Sequence, residues 1–278
     1  KAGNPWGANK QDREGWIAEC DFPVKVVSGE LPEDVEYLFW VGCAGAYEDR
    51  AKKTRKAVAE LLHMAGVNFA VLGKRETCTG DPARRSGNEF LYQILSQENI
   101  ETFKETFGNR GVKKVVVTCP HCFTTIGKDY AQSGYELQML HHTQLLNTLV
   151  KEGKLKTSPH KADQKITFHD PCYLGRHNQI YAPPRELLEA SGCDVEEMPR
   201  NQERSFCCGG GGGRMWMEEK IGTRINLNRV DEAIETGAAE VAVACPFCRI
   251  MVGDGMVARQ SQVEVLDVAQ VLLRNIKS

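Results

Sequence analysis

From Val35 onward the chain alternates short apolar runs with longer segments in which apolar residues return at helical spacing. Tyr37-Leu38-Phe39-Trp40-Val41 predicts a buried strand that ends at Gly42-Cys43 and passes into a loop. Ala57, Val58, Leu61, Leu62 and Met64 predict a helix from about Glu48 to Ala65, closed by Gly66. Val67 to Leu72 reads as a second strand, Asn88 to Phe107 as a second helix stopped by Gly108, and Lys114 to Thr118 as a third strand. Strand and helix in strict alternation with short connections predict a parallel α/β sheet. Cys43, Cys78 and Cys119 each fall just past a predicted strand, at the end where such sheets hold ligands.

The second half repeats the pattern. Strands are expected at Lys165 to His169, Val195 to Met198 and Ala239 to Ala244, with helices from Pro184 to Ala190 and Glu218 to Thr236. Cys43 to Cys78 is 35 positions, as is Cys172 to Cys207, and the halves are offset by 129 there and by 126 at the two Cys-Pro-x-Cys turns. The fold class expected is α/β: a tandem duplicated pair of parallel-sheet α/β halves related by a pseudo-twofold, each with a cysteine cluster site. The halves span residues 34–157 and 158–278, and residues 1–33 form an N-terminal extension. That extension has a short helical segment from Asn9 to Cys20 and is expected to anchor through Trp6 and Trp16; Cys20 stands alone.

Composition narrows the function classes. Thirty-five Lys and Arg against 37 Asp and Glu give a net charge of −2, and no basic run is interleaved with aromatics, so no nucleic-acid surface is expected. No apolar run reaches the ~20 residues that span a bilayer, and the first residues have no signal-peptide core, which makes the expected location cytoplasmic. Eleven cysteines in a chain of this size, two pairs of them in Cys-Pro-x-Cys, point to metal rather than to disulfides.

The candidate chemistry centres on Ser205 to Gly213, where Cys207 and Cys208 are followed by five glycines. Soft thiolate ligands next to backbone that can approach closely suit an iron–sulfur cluster. With Cys172, Cys245 and Cys248 the second half offers five thiols, one more than a zinc ion or a regular cubane takes. The surplus thiol bridges two irons, serves as a free redox thiol, or packs as a small hydrophobe. Gly209 and Gly210 lack the Lys-Ser/Thr of a phosphate loop and are assigned to cofactor binding, their N–H groups forming a nest for an anionic cluster; a plain linker is the alternative. In the first half Cys78-Thr79-Gly80 replaces Cys-Cys-Gly, which leaves four thiols: Cys43, Cys78, Cys119 and Cys122. His121, His169 and His177 are read as proton donors or as hydrogen-bonded scaffold, Arg176 and Arg214 as anion-attracting or solvated, and Cys193 as a buried structural thiol.

This pattern, a cysteine after a strand, Cys-Cys-Gly 35 positions later, then Cys-Pro-x-Cys, resembles the cysteine-rich (CCG) domain of heterodisulfide reductase subunits B and D and of the glycolate oxidase iron–sulfur subunit, over about Val35 to Gln270. The resemblance implies a noncubane 4Fe-4S cluster with a bridging thiolate on Cys172, Cys207, Cys208, Cys245 and Cys248. For Cys43, Cys78, Cys119 and Cys122 it implies a cubane 4Fe-4S cluster, with zinc or an empty site as alternatives. It also implies an oxidoreductase that moves electrons between a flavoprotein or ferredoxin-type partner and a disulfide or quinone-linked acceptor, with no catalytic residue beyond the cluster ligands. The segment from Gly3 to Trp16 looks like the one that joins a ferredoxin domain to this domain in longer members, so the chain is expected to be the carboxyl-terminal part of a longer membrane-associated electron-transfer protein, with a subunit whose ferredoxin partner is separate as the alternative. The competing class is a zinc-stabilised interaction module without redox activity.

Overall fold

The computed structural model describes residues 2–158 and 165–277. Two compact units divide between Leu145 and Leu146.

The first unit opens with a 3-10 helix, Lys10–Glu19, capped by the Asn9 side chain, which accepts from the Gln11 N–H. Its sheet holds five strands: β1 (Lys25–Val26), β2 (Tyr37–Trp40), β3 (Phe69–Val71), β4 (Lys114–Val117) and β5 (Gln138–His141). They lie in the order β1-β3-β2-β4-β5, every pair parallel, with Trp40 opposite Val117 and Val117 opposite His141. Leu38, Phe39, Val115, Val116 and Val117 are fully buried, as central strands covered on both faces require. Around them run α1 (Gly42–Tyr47), α2 (Asp49–Met64), α3 (Asp81–Arg85), α4 (Glu89–Phe107), α5 (Pro120–Thr124) and α6 (His142–Lys151); α6 carries the division between the units. The Glu48 carboxylate caps α2 by accepting from the Ala51 N–H at 2.7 Å, and Asn88 caps α4 through the Leu91 N–H at 3.1 Å. α4 turns Tyr92, Ile100, Phe103 and Phe107 inward, and Phe103 meets Trp40 at 5.2 Å between ring centroids. Each such aromatic contributes roughly 1.5–3 kcal/mol by burial, which fixes the end of β2 where Cys43 follows.

The second unit has β6 (Lys165–Phe168), β7 (Asp194–Val195), β8 (Glu240–Val243) and β9 (Glu264–Asp267), parallel throughout in the order β7-β6-β8-β9. This repeats β3-β2-β4-β5, with β1 as the extra edge strand of the first sheet. Its helices are α7 (Gly175–Asn178), α8 (Ala182–Ala190), α9 (Ile225–Glu235), α10 (Pro246–Ala258) and α11 (Val268–Lys277).

Three expectations change. The Cys-Pro-x-Cys segments are helix starts rather than turns: Cys119 and Cys245 are the N-caps of α5 and α10, with proline at the first helical position, where its missing N–H is no loss. The strand of Tyr37 to Trp40 runs directly into α1, not into a loop. The helix expected from Glu218 begins only at Ile225, because Gly222 is left-handed at φ 66° and the Glu219 carboxylate accepts the Ile225 N–H at 2.9 Å, capping the helix there. Among the described residues no helix is long and apolar enough to cross a membrane.

Candidate metal centres

In the second unit three sheet ends bring five thiols together. β6 ends at Phe168 and the chain continues His169-Asp170-Pro171-Cys172; β8 ends at Val243 and leads to Cys245 and, in the first turn of α10, Cys248. Cys207 and Cys208 arrive on the loop after β7. That loop is tied to the Cys172 segment: Asp170 receives Arg185 in a fork of two 2.8 Å bonds and also accepts the Gln202 N–H at 2.8 Å, while Arg176 donates to the Ser205 carbonyl at 2.7 Å. Cys172 is hydrogen-bonded to Cys207, Cys207 to Cys208, Cys208 to Cys248 and Cys248 to Cys245, so the five sulfurs form one continuous cluster. Cys208, Cys245 and Cys248 are buried, and Cys172 and Cys207 are half-buried.

The sulfurs shift one another's acidity. Hydrogen bonds from Cys172 and Cys208, helped by the Gly209 N–H at 3.2 Å, hold Cys207 far below the ordinary thiol range. Those same contacts with Cys207 push Cys172 and Cys208 up, and burial adds to it. A ring nitrogen of His169 lies within 4.8 Å of the sulfurs of Cys208 and Cys248. Burial, followed by the Arg229 cation, pushes His169 down to about 3, so the imidazole is neutral at ordinary pH.

The first unit assembles its four thiols in the same places. Cys43 is the second residue of α1, Cys78 follows β3 through a 3-10 turn (Gly73–Arg75), Cys119 caps α5 and Cys122 lies within it. Cys43 is hydrogen-bonded to Cys78, and Cys122 to Cys119. Gly80 and Gly209 hold the same left-handed φ of 87°, and each turns its N–H onto the thiol two residues back, Gly80 to Cys78 at 3.5 Å. The Thr79 hydroxyl faces Cys122 at 4.0 Å, as Cys208 faces Cys248 in the other unit.

One buried ion pair sets this site apart. Arg13 donates to Cys43 Sγ at 3.0 Å and to Glu76 at 2.8 Å, and Glu76 accepts the Val41 and Gly42 N–H groups at 3.0 and 2.6 Å. Arg13 and Glu76 are 3% and 1% exposed. Cys43 is pushed down, first by the hydrogen bond from Cys78 and then, against its burial, by Arg13; Cys78 is pushed well up by the same hydrogen bond and by burial. Burial raises the Glu76 carboxyl despite its partners.

Several residues singled out in the sequence lie off these clusters or support them. His121 pairs through Nδ1 with Asp81 at 2.9 Å, and this pair and Arg85 outweigh burial to hold Asp81 below its usual range. His177 stacks on Tyr173, Arg214 approaches Glu219 at 3.7 Å, and Cys20 and Cys193 are both half-buried, so Cys193 is less enclosed than expected. Sequence reasoning missed Arg13, Glu76 and Trp40. Glu76 stands where the second half has Ser205, a charge difference the alignment of the halves already displays; Arg13 sits 30 residues before Cys43 with no local signal.

The donor sets suit a soft metal or an iron–sulfur cluster. Thiols converge, backbone N–H groups point at sulfur, and a methyl on Gly210 would come within 3.6 Å of Cys208 Sγ and 3.0 Å of Met251, so glycine lets the backbone pass this close to the thiol. His169 Nε2 and Trp40 Nε1 are buried without a partner among the described residues.

Known proteins resemble this chain over nearly its whole length. The chain is 43% identical over 282 residues to a probable iron–sulfur-binding oxidoreductase, FadF, of Bacillus subtilis, covering 99% of this chain and 39% of the relative. It is 44% identical over 281 residues to the EtfAB:quinone oxidoreductase of Syntrophomonas wolfei, covering 97% and 38%. To a dihydromethanophenazine:CoB–CoM heterodisulfide reductase subunit of Methanosarcina barkeri it is 31% identical, covering 97% and 64%. The chain thus spans about two fifths of the length of the first two relatives. Among solved structures, a hypothetical protein from Helicobacter pylori shares the fold at a TM-score of 0.58 and 10% identity, covering 99% of this chain and 54% of that one. The model of the cysteine-rich CCG domain matches residues 37–127 and again 166–253; the chain belongs to the CCG cysteine-rich domain family and carries the domain twice.

Proposed function

We propose that this chain is the cysteine-rich electron-transfer part of an iron–sulfur oxidoreductase of the heterodisulfide reductase type. Cys172, Cys207, Cys208, Cys245 and Cys248 hold a noncubane 4Fe-4S cluster, and Cys43, Cys78, Cys119 and Cys122 hold a cubane 4Fe-4S cluster. The observation that carries this reading is the unbroken contact of five thiols at the carboxyl ends of parallel strands, one ligand more than a zinc ion takes. When bound, such clusters accept and release single electrons at potentials set by their ligands and hydrogen bonds.

The chain's own contribution is to position and tune. Gly209 donates an N–H to Cys207, Gly80 to Cys78, and Arg13 neutralises charge at Cys43. The half-buried Cys172 and Cys207 leave the second site a side toward solvent, where a disulfide or a quinone-linked acceptor can approach. Electrons reach the chain from a flavoprotein or ferredoxin-type partner, in a membrane-associated complex; the EtfAB:quinone and heterodisulfide reductase relatives support this class of partner.

The test is anaerobic purification with iron, sulfide and zinc quantitation and electron paramagnetic resonance. The expected result is about eight irons per chain, two four-iron clusters, with visible absorption that bleaches on dithionite and two distinct signals. A colourless protein that carries zinc overturns the proposal.

A further inference from the structure

Two buried aromatic N–H groups occupy the same place in the two repeats. Trp40 and His169 are 129 positions apart, the same offset as Cys43 and Cys172, and each stands three residues before its cysteine. Trp40 is the last residue of β2 and pairs with Val117; His169 extends β6 by one, its N–H bonding to the Ala242 carbonyl at 2.9 Å. Both side chains are 1% exposed, and both Trp40 Nε1 and His169 Nε2 lack a hydrogen-bond partner among the described residues. A buried donor left unmade costs about 1–3 kcal/mol, so two at matched positions call for an explanation.

Each lies beside a thiol of its own half. A methyl on Gly42 would lie 3.7 Å from Cys122 Sγ and 4.0 Å from Trp40 Nε1, so indole nitrogen and thiol border the same space over that glycine. A ring nitrogen of His169 stands within 4.8 Å of Cys208 and Cys248 Sγ.

The hydrogen bond behind the imidazole fixes its tautomer. Arg229 Nε lies 3.0 Å from His169 Nδ1, and a guanidinium can only donate, so Nδ1 accepts and the proton of the neutral ring is on Nε2. Arg229 is itself held by the Arg200 carbonyl at 2.9 Å and by Glu232 at 2.6 Å. A metal-ligating histidine shows the reverse arrangement, donating its far N–H outward and offering a lone pair to the metal. His169 therefore presents a donor to the thiol cluster and no lone pair, although it lies at ligand distance. Indole Nε1 is a donor under all conditions.

We propose that Trp40 Nε1–H and His169 Nε2–H are donors reserved for sulfur, one per repeat, positioning residues that raise the reduction potential of the cluster in their own half. This rests on the cluster assignment proposed above. A donor to sulfur stabilises the reduced, more negative state, so its removal lowers the potential.

The experiment is an anaerobic redox titration followed by electron paramagnetic resonance on the full chain, with iron and sulfide measured in each sample. Trp40→Phe keeps an aromatic ring and removes the N–H. His169→Asn keeps an acceptor for Arg229 and has no atom in place of Nε2; His169→Gln puts an amide N–H back. With cluster content unchanged, Trp40→Phe is expected to lower only the first-half potential and His169→Asn only the second-half one. The reduction equilibrium shifts roughly tenfold in each case, or about 59 mV for one electron. His169→Gln is expected to stay close to wild type.

Unshifted potentials in Trp40→Phe and His169→Asn at full cluster content overturn the proposal, as does selective loss of iron from His169→Asn, which would make the imidazole a ligand. Should these variants fail to fold, ring-15N-histidine labelling of the wild type decides the His169 half of the proposal: weak hyperfine coupling is expected for N–H to sulfur, and strong coupling from a bonded nitrogen overturns it. Wild-type protein without iron and sulfide defeats the cluster assignment itself, a result distinct from an unshifted potential.

Discussion

The two cysteine sites share a backbone and differ in charge. Strand order, the left-handed glycine at φ 87° and the N–H turned onto the preceding thiol recur in both units. The second site adds a fifth thiol, Cys208, where the first has Thr79. The first imports Arg13 from outside the repeat and balances it with Glu76. The first site therefore carries a buried cation against Cys43, and the second has a further thiol beside Cys207. The repeat thus preserves the scaffold while side chains at a few positions set the chemistry.

Removing what distinguishes the second site should have the largest effect. Cys208→Ser is expected to lose the second-half cluster and keep the first, read as a halving of iron and sulfide with one resonance signal retained; unchanged iron would show that Cys208 is the surplus thiol. The converse change, Thr79→Cys, gives the first half the full Cys-Cys-Gly. Its signal is expected to converge on that of the second half while total iron stays the same.

Arg13→Gln tests the imported cation. It strands Glu76 as a buried charge, and removing one partner of such a pair costs about 3–5 kcal/mol. The loss should appear in urea unfolding of the first unit, with the second-half signal intact, and Arg13→Gln combined with Glu76→Gln should recover part of it.

The smallest change compares the two glycines. Gly80→Ala and Gly209→Ala each force a side chain onto φ 87°, at a cost of about 1–3 kcal/mol. Gly80→Ala should cost more, since its Cβ would meet Tyr92 Cδ2 at 2.8 Å whereas the nearest atoms to Gly209 are at 3.3 Å. Equal shifts in unfolding midpoint would show that backbone strain alone decides.

Much of this was legible beforehand because it is local. Burial on both faces makes β2, β4, β6 and β8 nearly continuous apolar runs, and α2 and α4 begin and end at capping residues, Glu48 and Asn88, and at glycines. The short strands β5 and β9 were not legible: Gln138–His141 and Glu264–Asp267 are edge strands with polar ends, defined by what they pair with rather than by composition. The proline in Cys-Pro-x-Cys suggested a turn, and it starts a helix, because the first helical position has no use for an N–H.

The sequence alone determined which residues can serve as sulfur donors, that they recur at a fixed offset, and that each follows a strand. These are matters of residue identity and spacing, which folding does not alter. Only the tertiary structure decided that Arg13 enters the first site, that Arg229 fixes the tautomer of His169, and that Trp40 Nε1 and Cys122 Sγ border one space over Gly42. A charge or a hydrogen bond acts across a few ångströms of space, and the chain brings those partners together from 30 to 82 residues apart, a distance no local pattern encodes.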